Sequence, residues 1–128
     1  MFNVRLIALV GTLALSVMAL TVAPLASAKG GHGVQVSGVC TKHSTAKLKL
    51  SNDDGRVEVE FEVDQNRNGI PWKVTLRRNG SLVATTTATT HAPSGSFSVR
   101  RLIPGASGTF VAVATRSSGE RCTAKSSI

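Results

Sequence analysis

The stretch RVEVEFEV, residues 56–63, constrains the fold more than any other. Val57, Val59, Phe61 and Val63 alternate with Glu58, Glu60 and Glu62. Successive side chains of a strand point to opposite faces, so this period of two describes a strand with one face in a core and the other in water. A sheet with one wet face is antiparallel as a rule. The same texture continues along the chain. AKLKLS (46–51) places Leu48 and Leu50 opposite Lys47 and Lys49, and PWKVTLRR (71–78) places Trp72, Val74 and Leu76 inward. SLVATTTATT (81–90), SFSVRRL (96–102), GTFVAVATR (108–116) and ERCTAKSS (120–127) read as further strands, and VQVSGVCT (34–41) as the first. SNDDG (51–55) and Asn79-Gly80 are turns, because Asn, Asp and Gly tolerate the positive φ that tight hairpins need. No stretch after residue 28 has the period of a helix. The expectation is an all-β, antiparallel β-sandwich of seven or eight strands.

The first 28 residues have a different character. Arg5 precedes an apolar run from Leu6 to Val22, Pro24 breaks it, and Ala26-Ser27-Ala28 offers small residues at a cleavage position. This pattern is that of a secretory signal peptide, residues 1–28. The length of the run leaves an uncleaved anchor as the alternative. Residues 29–33, KGGHG, read as a flexible leader, and 34–128 as one domain. Cleavage of 28 residues from 128 leaves 100, which is the size of a single domain. The expected product is secreted and has no membrane span after cleavage.

In an oxidising compartment the two cysteines, Cys40 and Cys122, pair. They would close a loop of 82 residues. Chain entropy values such a loop at about 4.5 kcal/mol, a large share of a small domain's stability.

Charge is lopsided. Lys and Arg number 15 against 7 Asp and Glu, and without Arg5 the count is 14 against 7, a net +7. A domain of that charge adheres to anionic surfaces, or uses the charge for solubility alone. The candidate polyanion-binding residues are Lys73, Arg77, Arg78, Arg100 and Arg101, with Arg116 and Arg121 adding to the basic surface. Lys73, Arg77 and Arg100 fall at outward positions, and Arg78 beside the Asn79-Gly80 turn. If Leu50 opposes Val57, Lys49 faces Glu58 and Lys47 faces Glu60, so the glutamates have structural partners. Binders of single-stranded nucleic acid stack bases on aromatics. Here Phe61, Trp72, Phe97 and Phe110 all fall at inward positions. No sequence-specific nucleic-acid binding is expected.

One loop resembles a metal site. Asp64-Gln65-Asn66-Arg67-Asn68-Gly69 fits the opening half of a calcium loop. The twelfth position, which requires a bidentate Glu, is Thr75, and Arg67 adds positive charge. The segment therefore reads as a turn built from Asx-type hydrogen bonds, without a metal. Projecting from one end of a sandwich, it is also a candidate contact loop, with Asp64, Asn66, Asn68 and Trp72 as its residues. Catalysis has no visible home. His32, His43 and His91 all lie in leader, turn or loop, and none belongs to a nucleophile–base motif. Neither a catalytic group nor a cofactor is expected.

The segment SFSVRRLIPGASGTFVAVATRSSGE (96–120) resembles the later strands of a fibronectin type III or immunoglobulin-like domain. Leu102-Ile103-Pro104-Gly105 is similar to the turn before the penultimate strand. Phe110, Ala112 and Ala114 take its inward positions, and Ser118-Gly119-Glu120 the turn into the last strand. The resemblance implies that RVEVEFEV is the second principal strand and WKVTLRR the third. The chain has no tyrosine, so the tyrosine corner of such folds is absent. With its leader, two cysteines and VDQNRNG loop, the whole chain is also similar to small secreted actinobacterial proteins, which implies a compartment but no activity. The expected function is a non-enzymatic, envelope-associated binding or structural module held to an anionic cell-envelope polymer by its basic surface. The alternative is a soluble ligand or inhibitor that meets a protein partner through loop 64–71.

Overall fold

The computed structural model describes residues 33–128. The expected signal peptide and most of the expected leader lie outside the described residues. Among the described residues nine strands follow one another: β1 (Gly33–Ser37), β2 (Val39–Cys40), β3 (Thr45–Asp53), β4 (Arg56–Asp64), β5 (Pro71–Arg78), β6 (Ser81–Thr89), β7 (Ser96–Pro104), β8 (Thr109–Thr115) and β9 (Arg121–Ser127). They form two antiparallel sheets, a four-stranded one ordered β1-β3-β4-β7 and a five-stranded one ordered β2-β9-β8-β5-β6. Among the described residues no helix is long and apolar enough to cross a membrane.

The core follows from the alternation. Leu48, Leu50, Val57, Val59, Phe61 and Val63 come from one sheet, and Trp72, Val74, Leu76, Phe110, Ala112, Ala114 and Cys122 from the other, each 2% exposed or less. The larger residues of the first sheet share one core cluster with the small Ala112, Ala114 and Ala124 of β8 and β9. Trp72 packs against Phe97 with ring centroids 6.1 Å apart, tying β5 to β7 across the layers.

Both hairpins turn on two residues with positive φ, Asp54 (47°) with Gly55 (78°) and Asn79 (48°) with Gly80 (84°). Two central residues of positive φ match the right-handed twist of the flanking strands. The short first turn sets the register. Asp53 pairs with Arg56, so Leu50 opposes Val59, Lys49 opposes Glu60 and Lys47 opposes Glu62. The expected pairing of Leu50 with Val57 is therefore two residues off. The strands continue through Ser51, Asn52 and Asp53, which composition alone assigns to a turn. The slip is an even number, so every side chain keeps its face.

The first expected strand is divided, and this raises the strand count above the seven or eight anticipated. β1 pairs with β3 and β2 pairs with β9, so the chain changes sheets at Gly38. A Cβ there would stand 2.9 Å from the Thr123 carbonyl oxygen and 3.0 Å from the Ala46 Cβ, so only glycine fits the crossing. Gly33, expected in the leader, opens β1 opposite Ser51. Cys40 and Cys122 are bonded, and they are direct partners on β2 and β9. The bridge therefore lies within one sheet. It clamps a two-residue edge strand that has little other means of attachment.

Candidate functional site

The outer face of the five-stranded sheet can be built from register alone. Three rows cross it. Thr87, Lys73, Thr115 and Arg121 form the first, and Thr85, Thr75, Val113, Thr123 and Val39 the second. Leu82, Arg77, Val111 and Lys125 form the third, beside a bulge between Leu76 and Arg77. Lys73, Arg77, Arg121 and Lys125 are exposed and stand at four corners around a threonine–valine ridge. With strands about 4.8 Å apart and residues about 3.4 Å apart, the corners outline roughly 10 by 13 Å. Among the described residues no carboxylate occupies this face.

The other face is electrically balanced. Lys47 lies 3.8 Å from Glu62, and Arg56 lies 3.4 Å from Asp53. Arg100 lies 3.7 Å from Glu58 and 3.1 Å from Glu60. The Glu60 hydrogen bond, joined by the charges of Glu58 and Glu60, raises the Arg100 pKa above its ordinary value. Like other exposed pairs these contribute little to stability, but they cancel the charge of the face.

The five candidate polyanion residues therefore do not form one patch. Lys73 and Arg77 share the five-stranded face, whereas Arg100 is held by glutamates on the opposite side of the molecule. Arg101 opposes Val59, a core-facing register, yet it lies on the edge strand β7, is exposed, and donates through Nη1 to the Arg100 carbonyl 2.8 Å away. An inward-directed cation at a sheet edge discourages pairing with other chains. Arg78 donates to the carbonyl oxygens of Pro104 and Ser107, and its guanidinium sits 5.7 Å from the Phe110 ring. It closes the loop between β7 and β8 and is a structural residue. Lys125 was not anticipated, although the alternation of Cys122 and Ala124 inward already marks Arg121, Thr123 and Lys125 as outward.

The calcium-like loop is a tightly anchored turn. Asp64 Oδ1 accepts the Asn66 N–H at 3.0 Å, and Asn66 takes a φ of 62°. Thr90, 1% exposed, secures the far side. Its Oγ1 accepts from the Ile70 N–H at 3.0 Å and donates to the Arg67 carbonyl, while its own carbonyl accepts the Gly69 N–H at 2.6 Å. Asn66 and Asn68 are exposed and Asp64 is half-buried. Trp72 must be removed from the contact set. It is fully buried, because its place on β5 faces the other sheet, and its Nε1 donates to Gln65 Oε1 at 3.0 Å.

That bond leads to a second feature. Three loops meet at this end of the sandwich: 41–44, 65–70 and 116–120. Lys42, His43, Ser44, Gln65, Arg67, Arg116 and Glu120 line a cavity of about 250 Å³ there. Glu120 is 1% exposed. Its Oε1 accepts from Ser44 Oγ at 3.0 Å and from Arg116 Nε at 3.1 Å, and its Oε2 accepts the Ser44 N–H at 3.1 Å. Burial pushes the Glu120 carboxyl up, but the Ser44 hydrogen bonds, with the hydrogen bond and charge of Arg116, outweigh it and hold the pKa below its ordinary value of 4.5. The Arg116 guanidinium also sits 5.6 Å from the Trp72 ring, so it is fixed on two sides. No linear motif joins these residues, and only folding brings the three loops together.

No protein-family model, curated protein or solved structure matches the chain. The reading of function therefore rests on geometry and chemistry.

Proposed function

We propose that this chain is a secreted, non-enzymatic module that adheres to an anionic polymer of the cell envelope through the outer face of its five-stranded sheet. The observation that carries this reading is the rectangle of Lys73, Arg77, Arg121 and Lys125, unopposed by any carboxylate on its face among the described residues. Such a surface attracts a polyanion by charge and counterion release, without reading a sequence. The flat ridge between the cations lets an extended polymer lie across the strands. Secretion is supported by the signal pattern in residues 1–28 and by the disulfide.

We also infer that the sandwich is immunoglobulin-like, of the fibronectin type III kind. Strand order supports it. With β1 and β2 set aside and the remaining strands lettered A, B, C, C′, E, F and G, A-B-E share one sheet and G-F-C-C′ the other. The grouping of G, F and C with an added C′ is the arrangement of that class.

The test is binding to poly(glycerol phosphate) as a function of salt. Four contacts at about −0.7 each predict a log–log slope near −3. Each substitution Lys73→Ser, Arg77→Ser, Arg121→Ser or Lys125→Ser should reduce the magnitude of the slope by about 0.7. Equal binding by the fourfold variant and the native protein would refute the face, as would an equal loss from Arg100→Ser. A second reading has one observation in its favour. Asn66, Arg67 and Asn68 stand exposed on a loop pinned by Thr90, a rigid presentation suited to a protein partner. Salt-resistant capture of a protein that is lost in Asn66→Ala/Asn68→Ala would favour it.

A further inference from the structure

The cavity at the loop end is a distinct site from the proposed polymer face, and its walls have a consistent chemistry. Among the described residues Glu120 supplies the only carboxylate, and each of its oxygens accepts a bond from Ser44 or Arg116. Gln65 Oε1 is occupied by the Trp72 indole, which leaves the amide NH₂ as the free end of that side chain. Arg116 uses Nε on Glu120, which leaves its two terminal nitrogens. Lys42 is exposed, and among the described residues its Nζ makes only a long 3.4 Å bond to the Ser118 carbonyl. Arg67 is exposed, and among the described residues its guanidinium has no carboxylate within ion-pair distance. The charged and amide walls thus offer donors, while the Glu120 and Gln65 oxygens each already accept a bond inside the protein, and His43 completes the lining.

The charge count narrows the ligand. Lys42, Arg67 and Arg116 contribute three positive charges and Glu120 one negative, a net of two. A phosphate monoester carries about −1.5 to −2 near neutral pH and presents three strong acceptor oxygens. A guanidinium fixed by an ion pair and a ring is well suited to such an oxyanion, because its fork loses little freedom on binding. The cavity is smaller than the roughly 300–1,000 Å³ that encloses a drug-sized ligand, which limits it to a headgroup.

We propose that this pocket binds the phosphate group of a small phosphate monoester, with Arg67, Arg116 and Lys42 as the oxyanion ligands and the Gln65 amide as an orienting donor. The buried Glu120–Ser44 pair positions Arg116 and does not touch the ligand.

The experiment is titration of the disulfide-bonded protein with glycerol 3-phosphate, followed by isotope-edited NMR. Saturable binding with Kd of about 1 mM or tighter is expected, with shifts at residues 42–44, 65–67 and 116–120. Arg67→Ser and Lys42→Ser are exposed changes that leave the fold intact, and each should weaken binding about tenfold or more. Lys73→Ser/Arg121→Ser, on the polymer face, should leave it unchanged, so failure of one site is separable from failure of the other. A chain-terminal phosphate and a free metabolite share this chemistry. Binding of a monoester-ended glycerol phosphate oligomer with the same loop shifts assigns the polymer end as a source, and binding of the small monoester alone assigns the free compound. Absence of saturation, equal binding of glycerol or of an end-capped diester, or no effect of either variant would overturn the site.

Discussion

Replacing Glu120 by alanine tests the idea that a buried carboxylate, and not the apolar core alone, holds the loop end together. Three donors lose their acceptor: the Ser44 N–H, the Ser44 hydroxyl and Arg116 Nε. Ser44 is 9% exposed, so water does not readily replace the carboxylate there, and each of its orphaned groups costs about 1–3 kcal/mol. The Arg116 side chain is 22% exposed and can turn to solvent, so its share is smaller. The sum is about 3–5 kcal/mol, the range for breaking one partner out of a buried charged pair. A domain of this size holds roughly 5–15 kcal/mol in all. Urea unfolding at pH 7 with the disulfide intact is the assay. At a slope of about 1.5 kcal/mol per molar, the midpoint should fall by roughly 2–3 M. Ser44→Ala should cost only about 1 kcal/mol, and the double variant should fall short of the sum because the two share a bond. A midpoint shift in Glu120→Ala below about 0.5 M would refute the reasoning and place Glu120 among ordinary surface ion pairs.

The same carboxylate predicts a pH dependence. Its folded pKa lies below its ordinary 4.5, so its contribution is complete above that value and is lost as pH falls through the lower folded value. The stability difference between native protein and Glu120→Gln should therefore shrink on acidification below about pH 4.5, and a difference that stays constant to pH 2 would contradict this. Cys40→Ser/Cys122→Ser should lose up to about 4.5 kcal/mol by calorimetry, with hydrogen exchange rising first in β2, whose two residues have little else to hold them. Gly95→Ala should be strongly destabilising, because a Cβ there would meet the Arg67 backbone nitrogen at 2.2 Å and the φ is 70°. Its thermal midpoint should drop by at least about 8 °C, and an unchanged midpoint would show that loop 65–70 gives way freely. Glu62→Gln should change stability by less than about 1 kcal/mol, since the Lys47 pair is exposed on both sides.

Alternation along RVEVEFEV, AKLKLS and PWKVTLRR was enough to assign strands, faces and the core, because the period of two acts residue by residue and needs no knowledge of the partner strand. The same logic marked Lys73, Arg77 and Arg100 as outward, and would have marked Lys125. Asn79-Gly80 named a hairpin for the same local reason, since few residues accept positive φ. Register was not legible to that depth. Leu50 can meet Val57 or Val59 with the same faces, and the choice fell to how few residues the Asp54-Gly55 turn contains. Which strands share a sheet was decided by the whole chain. It put Arg100 beside two glutamates and Arg121 with Lys125 beside Lys73 and Arg77, dividing one basic composition into a neutral face and a cationic one. Trp72 was legible both ways, as the residue after the 64–71 loop and as an inward position of PWKVTLRR, and the packed sheets put it in the core. The cavity of Lys42, Arg67, Arg116 and Glu120 was beyond sequence reasoning. Local pattern determines which way a side chain points, because that depends on its own backbone, whereas a site assembled from three loops depends on contacts between residues up to 76 positions apart, which exist only once the sheets have packed.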